Sequence, residues 1–234
     1  MGHYLLFPAY NEEKNIGEVL KEAVSLVPKN RIVVVDDGST DRTEEIVKSF
    51  RVFLVSHSIN KGKAEAIKTG LKFLLKKKDF KAVAICDSDG QYSVKDALRL
   101  LEPIKNGKAD FVMGFRNFKN IPFRHRLGNI VWRSFFNLLF GTKFFDTNCG
   151  LMAMNRKAAK IVVNKIHGGY ILENSVLIAI LKEGLKADQI PVEVTYKRKR
   201  GLISGIRIVL GVLIFILQEG LKHRFLQLFA KKKK

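Results

Sequence analysis

Apolar, β-branched runs alternate with longer stretches of helical periodicity through the first half of the chain. The runs predict five strands, at Tyr4–Phe7, Ile32–Val35, Val52–Val55, Val83–Cys86 and Phe111–Met113. Alternation of short strands with amphipathic helices is typical of βαβ units. We therefore expect an α/β fold with a mainly parallel sheet and flanking helices.

Two local signals predict where helices begin. Asn11 is a candidate cap for a helix that runs to about residue 26, with Glu12 in its first turn. Ser93 is followed three residues later by Asp96, which is the spacing of a cap residue and its reciprocal partner.

The second half of the chain is rich in phenylalanine and cations. Apolar residues recur at helical spacing within 122–140, and we expect a further helix at Glu173–Glu183 and a strand at Gln189–Tyr196. The nearly wholly apolar segment Leu202–Leu217 follows a basic stretch, and four lysines end the chain. No repeat and no Pro/Ser-rich linker divides the sequence. We expect one domain at 1–200, with halves at 1–115 and 116–200, and a basic amphipathic tail at 201–234.

The charge balance indicates an anionic partner. The 234 residues include 42 Lys and Arg against 22 Asp and Glu, a formal net charge of +20. Such an excess suits a nucleic acid, a phospholipid surface or a phosphorylated substrate. A hydrophobic fraction of 47% is enough to bury a core and excludes wholesale disorder. Two cysteines fit a reducing compartment, and the N-terminus lacks the pattern of a signal peptide, so we expect no export.

The second predicted strand ends in two carboxylates, Asp36 and Asp37, which precede Gly38. Ligands of open α/β sheets bind at the carboxyl ends of the strands, where a carboxylate can accept hydrogen bonds from ribose hydroxyls or a base N–H. The alternative is a strand-to-helix turn in which aspartate serves only as turn former and cap. The motif by itself leaves both interpretations open.

The fourth predicted strand ends in a second acidic motif. Asp87 and Asp89 can face the same side, because successive strand residues point to opposite sides. With the amide oxygen of Gln91 they are hard ligands suited to Mg²⁺ or Mn²⁺, and so few protein ligands leave positions open for substrate phosphates. The alternative is an acidic turn with solvated side chains.

The end of the first predicted strand adds candidate nucleotide contacts. Pro8 fixes the chain direction, Tyr10 offers a flat ring for stacking on a nucleobase, and Glu12 can reach a ribose or favour the helix N-terminus. No Gly-x-Gly-x-x-Gly follows this strand, and the chain has no P-loop and no Gly-x-Ser-x-Gly elbow. These absences argue against a dinucleotide dehydrogenase and a P-loop nucleotidase.

The three strand-end motifs, in this order, resemble the inverting family-2 glycosyltransferases with the GT-A fold. The resemblance runs from Pro8 to about Ser204 and is closer to the polyprenyl (dolichyl) phosphate mannose synthases. Four later segments carry it: Gly114-Phe115-Arg116, the basic stretch from Arg124 to Phe140, Asp146 to Leu151, and Tyr196, Arg198, Gly201 and Ser204. Two positions depart from the family pattern, which has Ser-Gly-Phe where this chain has Cys149-Gly150-Leu151, and lysine where it has Gly205.

The resemblance implies a role for each matched residue. A nucleoside-diphosphate sugar, with GDP-mannose favoured, would be bound by Pro8, Tyr10, Glu12, Asp37 and Asp87. A Mg²⁺ or Mn²⁺ ion on the diphosphate would be held by Asp87, Asp89 and Gln91. The catalytic set would be Asp89 and the arginines that grip the acceptor phosphate, namely Arg116, Arg124, Arg126 and Arg198. Glu173 lies where other inverting transferases place a base, and we expect at most an orienting role for it.

The implied reaction is transfer of a hexosyl group, with mannose expected first, to a polyprenyl phosphate with inversion. Glucose or an N-acetylhexosamine fits the same motifs, and a diacylglycerol or a glycan is an alternative acceptor. A nucleic-acid-binding module is a third interpretation, but it leaves the converging acidic motifs unexplained, so we expect no nucleic acid partner.

A lipid acceptor requires the chain to reach a membrane surface with anionic lipids. Leu202–Leu217 is shorter than the ~20 residues of a spanning helix and contains Arg207. We therefore expect peripheral or monotopic attachment at the cytoplasmic face of the cell membrane, through interfacial helices at 122–140 and 202–229. The alternative is a buried amphipathic helix with a solvated tail.

Overall fold

The computed structural model describes residues 2–116, 123–195 and 202–232, and side chains outside 123–128, 202–209 and 226–232. The strands of this part are β1 (His3–Ala9), β2 (Ile32–Asp36), β3 (Phe53–Ser56), β4 (Ala82–Ile85), β5 (Phe111–Arg116), β6 (Met152–Asn155) and β7 (Ala187–Val192). The helices are α1 (Ile16–Leu26), α2 (Thr43–Phe50), α3 (Lys63–Leu75), α4 (Val94–Leu100), α5 (Glu102–Lys105), α6 (Phe123–Phe140), α7 (Arg156–Lys165), α8 (Leu172–Lys182) and α9 (Leu202–Lys232).

The described strands form one sheet in the order β3-β2-β1-β4-β6-β5-β7. Strand β6 runs antiparallel to both β4 and β5, and every other neighbouring pair is parallel. The expected α/β fold with a mainly parallel sheet is therefore confirmed. The five strands predicted in the first half are all present, and the strand predicted at 189–196 lies at 187–192 instead.

The strand order reverses at β1. The chain passes from β1 to β2 and β3 on one side and then returns to β4 on the other side of β1. Because βαβ crossovers are right-handed, this reversal places α1 and α2 on one face of the sheet and α3 on the other. The carboxyl ends of β1 and β4 then border a crevice between the two helical layers, which is where sheets of this kind bind ligands.

Strand β6 was not predicted. Its sequence, Met-Ala-Met-Asn, contains no β-branched or aromatic residue and has no strong strand preference of its own. The strand forms because it is buried between β4 and β5 and hydrogen-bonds to both. Tertiary pairing decides its structure here.

The predicted cap at Asn11 is wrong. Helix α1 begins at Ile16, and Asn11 has a φ of 53°, which lies outside the extended backbone of a cap residue. Its Oδ1 instead accepts a hydrogen bond from Thr40 N at 2.8 Å and so joins the loops after β1 and β2. The cap at Ser93 is confirmed, since its Oγ accepts from Asp96 N at 3.1 Å, although the Asp96 carboxylate accepts its own hydrogen bonds elsewhere.

Helix α9 is continuous over 31 residues, about 47 Å at 1.5 Å per residue. It packs along α6, and its residues Val212 and Ile216 are buried in the core. Glu219 binds Lys182 of α8 at 2.5 Å, so the helix is tied to the domain on a second side. Within the described residues, no helix combines the length and the apolar character that crossing a membrane requires.

Candidate active site

A cavity of about 300 Å³ lies at the carboxyl ends of β1, β2 and β4, at the crevice where the strand order reverses. The first two acidic motifs and the end of β1 meet there. Six of the predicted site residues line it, namely Pro8, Tyr10, Glu12, Asp37, Asp87 and Asp89. The Tyr10 side chain is 43% exposed, which leaves its ring available for stacking.

Asp37 organises the loop that leads into α3. Its carboxylate accepts hydrogen bonds from Lys61 N at 3.0 Å and from Gly62 N at 2.7 Å, and lies 2.6 Å from His57 Nδ1. Asp37 is almost fully buried, so these bonds hold the loop against β2. Gly38 is required at the turn, because a Cβ there would lie 2.5 Å from the carbonyl carbon of Ile59. Asp37 thus shapes the wall of the cavity and positions the start of α3.

Asp36, the other carboxylate of this motif, takes no part in the cavity lining. It is buried beside Ser39, whose backbone N and Oγ both donate to Asp36 Oδ1. Burial raises the pKa of Asp36, and the hydrogen bonds from Ser39 oppose that rise only in part. Asp36 therefore acts as a turn former, whereas Asp37 lines the cavity and its contact with a nucleotide stays a prediction.

Asp87 and Asp89 both line the cavity, as the alternation of side chains predicts. Ser88 between them is buried, and its Oγ donates to the carbonyl oxygen of Pro8 at 2.7 Å. This bond ties the loop after β4 to the end of β1. Asp89 Oδ1 accepts from Gln91 N at 2.9 Å, which closes the turn.

Lys63, the first residue of α3, also lines the cavity and was not predicted. Its Nζ lies 2.7 Å from Asp87 Oδ1 and 3.3 Å from Glu173 Oε1. Burial by itself lowers the pKa of Lys63, but attraction to Asp87 and Glu173 outweighs it, and the pKa is raised well above its ordinary value. A permanent positive charge therefore sits at the carboxylate expected to bind a metal ion.

Gly150 brings the backbone of the loop before β6 against this ion pair. A Cβ at this position would lie 2.6 Å from Asp87 Oδ2 and 3.2 Å from Lys63 Nζ. A side chain here would displace Asp87 or Lys63, so the glycine is favoured by close approach rather than by an unusual φ. It is the central residue of the Cys149-Gly150-Leu151 segment that departs from the family pattern at its two other positions.

Gln91 lies apart from this cavity. It lines a second cavity of about 590 Å³ between α1 and α4. Its backbone oxygen accepts from Thr195 N at 2.9 Å, which ties the loop after β4 to the segment after β7. Its role as a metal ligand stays a prediction.

The oxygen ligands of the cavity at the strand ends fit a hard divalent cation. Asp87 and Asp89 present carboxylate oxygens, the ligands that Mg²⁺ and Mn²⁺ prefer. The ammonium of Lys63 already acts as a cationic partner for one of them. In the described part of the chain, no group of three or more His, Cys, Asp or Glu side chains is placed to hold a metal ion. A cation held by two carboxylates would keep positions open for phosphate oxygens.

Arg116 is bound to a carboxylate of its own protein. Its Nε and Nη2 donate to Asp146 at 2.7 and 3.0 Å. Asp146 is fully buried and also accepts from Asn129 Nδ2 at 3.2 Å and Asn148 N at 3.0 Å. Burial by itself raises the pKa of Asp146, but Arg116 outweighs it and the pKa is lowered. The pair joins β5 to the loop before β6, and a grip of Arg116 on an acceptor phosphate stays a prediction.

The structure does not describe the side chains of the other predicted arginines. Arg124 and Arg126 lie in the first turns of α6, where the backbone but not the side chains is described. Arg198 and Tyr196 lie outside the described residues, as does Gly201. Their roles toward an acceptor stay predictions.

Sequence reasoning missed Lys63, and it included Gly150 in a matched segment without giving it a role. A Gly-Lys pair opens the helix after β3, and this pair is the one local signal that could have drawn attention to Lys63. Nothing local indicates that Lys63 meets Glu173, because the two are 110 residues apart in the chain.

Comparison with known proteins agrees with this arrangement. Residues 4–162 match the family described as Glycosyl transferase family 2. A Methanococcus voltae protein named UDP-N-acetylglucosamine–dolichyl-phosphate N-acetylglucosaminyltransferase is 30% identical over an alignment of 235 positions that covers 91% of this chain and 92% of that protein. The polyprenol monophosphomannose synthase of Mycolicibacterium smegmatis is 24% identical over 219 residues, with 87% and 82% covered.

A solved structure shares the fold. Glucosyl-3-phosphoglycerate synthase from Mycobacterium tuberculosis, in complex with Mn²⁺, uridine diphosphate and phosphoglyceric acid, superimposes with a TM-score of 0.75. The match has 22% sequence identity and covers 93% of this chain and 78% of that one. The fold is thus the expected GT-A fold. With the family match extending over most of the sheet, the chain belongs to glycosyl transferase family 2.

Proposed function

We propose that this chain transfers a hexosyl or N-acetylhexosaminyl group from a nucleoside-diphosphate sugar to a polyprenyl phosphate, with inversion and with a divalent cation. The observation that carries the proposal is the pair of carboxylates, Asp87 and Asp89, in one cavity at the strand ends of a family 2 chain. The names of the two relatives, both of which act on a dolichol or polyprenol carrier, support the acceptor class.

A uridine-linked sugar is favoured over GDP-mannose as the donor. The relative named for UDP-N-acetylglucosamine is 30% identical to this chain, and the one named for mannose transfer is 24% identical. Both cover most of the chain, so the difference does not come from alignment length. This ranking revises the mannose expectation, and the donor panel below tests it.

On the donor side, Asp87 and Asp89 would hold the cation. The cation, when bound, supplies Lewis-acid neutralisation of the charge that builds on the departing diphosphate. Tyr10 would stack on the base through its exposed ring. Asp37 keeps the loop at 57–62 in place and so maintains the shape of the cavity before the donor arrives.

On the acceptor side, a phosphate monoester oxygen attacks the anomeric carbon as the bond to the diphosphate breaks, which inverts the configuration. The second pKa of such a phosphate is about 6, so it is already a nucleophile at neutral pH and needs no strong base. Glu173 binds Lys63, and its proposed role is to orient that lysine.

Helix α9 supports association with a membrane surface. Its exposed apolar residues Leu210, Ile214, Leu221 and Phe225 fall within about 60° of one another on a helix of 3.6 residues per turn. Val212 and Ile216 lie on the opposite side and are buried. One apolar face therefore packs on the domain, and a second faces outward beside a chain of net charge +20. We propose peripheral attachment through this second face, at the cytoplasmic side of the cell membrane.

The proposed activity is tested with the full chain, labelled UDP-N-acetylglucosamine, UDP-glucose and GDP-mannose, and polyprenyl phosphate in micelles. Lipid products are extracted and separated by thin-layer chromatography. We expect transfer from one UDP sugar with Mn²⁺ or Mg²⁺, and its loss with EDTA. Asp89→Ala should lower transfer more than about a hundredfold, because loss of even an outer-shell partner of a metal ligand costs about 10–100-fold.

The matched control is Asp188→Ala, which removes an exposed carboxylate on β7 and should leave transfer unchanged. Full activity of Asp89→Ala in the presence of EDTA would refute the metal assignment. A parallel assay supplies diacylglycerol in micelles, and transfer to it with none to polyprenyl phosphate would refute the acceptor assignment.

A further inference from the structure

The Lys63 ammonium lies beside Asp87, where a divalent cation bound to Asp87 would also lie. Its Nζ lies 2.7 Å from Asp87 Oδ1 and 3.3 Å from Glu173 Oε1. Asp87 is one of the two carboxylates that would hold the cation. Binding of the ion therefore requires one carboxylate to serve two positive charges, which repel each other at short range.

Packing holds Lys63 in this position. The side chains of Lys63 and Asp87 are only 34% and 23% exposed, and that of Glu173 only 13%. The backbone at Gly150 covers the pair so closely that a Cβ there would meet both Asp87 Oδ2 and Lys63 Nζ. The ammonium is thus a part of the cavity wall that two carboxylates hold in place.

We propose that Lys63 competes with the divalent cation for Asp87 and thereby couples cation binding to nucleotide binding. This inference rests on the proposed function. Without nucleotide, the ammonium neutralises Asp87 and weakens its hold on a cation. With a nucleoside diphosphate in the cavity, the phosphate charges compensate both positive groups, and Glu173 remains a partner for Lys63 when Asp87 binds the ion. Lys63 therefore acts as a positioning residue that favours joint binding of metal and donor.

The test measures Mn²⁺ binding directly, by the loss of the free Mn²⁺ electron paramagnetic resonance signal, with and without UDP. For Lys63→Met we expect the affinity for Mn²⁺ alone to rise at least about tenfold, which corresponds to about 1.4 kcal/mol. The ratio of the Mn²⁺ affinities with and without UDP should fall by a similar factor. A merely structural role of Lys63 would change the melting temperature without changing this ratio.

The matched control is Lys61→Met. This variant removes the same charge from an exposed side chain two residues away, and that side chain does not line the cavity. We expect the coupling between Mn²⁺ and UDP to stay at the wild-type value. Far-UV circular dichroism verifies folding of each variant, and Lys63→Gln is a second substitution should Lys63→Met fail to fold.

Glu173→Gln tests the competition by removing the charge of the second carboxylate partner of Lys63. With Glu173 neutral, Lys63 has Asp87 as its remaining ionised partner, so the affinity for Mn²⁺ alone should fall. The double variant with Lys63→Met should regain the affinity of Lys63→Met, because Glu173 acts through the lysine. An equal loss in both backgrounds would mean that Glu173 acts on the cation itself, and would overturn this part of the proposal.

Two results distinguish failure of this inference from failure of the proposed function. If the wild type binds Mn²⁺ with UDP but Lys63→Met leaves the affinity for Mn²⁺ alone unchanged, the competition is refuted and the metal site stands. If the wild type binds no Mn²⁺ even with saturating UDP, the metal-dependent function is itself overturned.

Discussion

The buried ion pair between Arg116 and Asp146 leads to the most demanding stability prediction. Asp146 has no exposed surface, and its two oxygens accept from two guanidinium nitrogens, from two backbone N–H groups and from the Asn129 amide. Asp146→Asn keeps the shape of the side chain but removes its charge. The new amide also places a donor where the structure supplies only donors. Arg116, whose side chain is only 18% exposed, loses its counterion.

The size of the effect follows from this geometry. Removing one partner of a buried ion pair costs about 3–5 kcal/mol, since the other charge remains buried. For a domain of this size, each kcal/mol lowers the melting temperature by about 2–4 °C, so we expect a decrease of roughly 6–20 °C. The exposed control Asp188→Asn should change the free energy of unfolding by less than about 0.5 kcal/mol.

The pH dependence provides an independent test of the pair. The pKa of Asp146 is lowered in the folded protein, so its stabilisation is complete above the unfolded pKa of about 3.9 and is lost as the pH falls through the folded pKa. The difference in unfolding free energy between wild type and Asp146→Asn should therefore be constant near neutral pH and shrink below about pH 4.

Urea denaturation followed by circular dichroism measures both effects. A free energy of unfolding for Asp146→Asn within about 1 kcal/mol of wild type would show that the ion pair with Arg116 contributes little to stability. Arg116 would then be free of its partner and available for an acceptor phosphate. A large, pH-sensitive loss would instead establish Arg116 as a residue that holds the loop before β6 in place.

Two further predictions concern the cavity at the strand ends and the outward apolar face of α9. Gly150→Ala should weaken joint binding of Mn²⁺ and UDP at least about tenfold, as measured by calorimetry. The added methyl group would lie 2.6 Å from Asp87 Oδ2 and overpack the site. Unchanged affinity would show that the loop moves to accommodate the methyl group. Ile214→Glu with Leu221→Glu should abolish co-sedimentation with anionic liposomes, since both side chains are more than half exposed on the outer face of α9. Leu26→Glu, an exposed apolar position on α1, is the control, and equal loss with it would contradict a specific membrane face.

The sequence by itself determined the fold class and most of the polar residues that line the cavity at the strand ends. Strands β1 to β5 are recognisable because their short apolar runs are local features of the sequence, and β1, β2 and β4 are almost wholly buried in the sheet. The positions of Asp37, Asp87 and Asp89 follow from these strands, because the carboxyl ends of parallel strands meet at one edge of a sheet. Local pattern and side-chain alternation were therefore sufficient for six cavity-lining residues.

Only the tertiary structure decided which charges meet across that edge. Lys63 contacts Glu173 from 110 residues away, and Arg116 contacts Asp146 from 30 residues away, at separations that no periodicity encodes. Strand β6 likewise has no strand preference of its own and forms because its neighbours bury it. The physical reason is the same in each case. Hydrophobic periodicity and turn-forming residues act between neighbours in the sequence, whereas ion pairs and the pairing of β6 depend on which segments packing brings together.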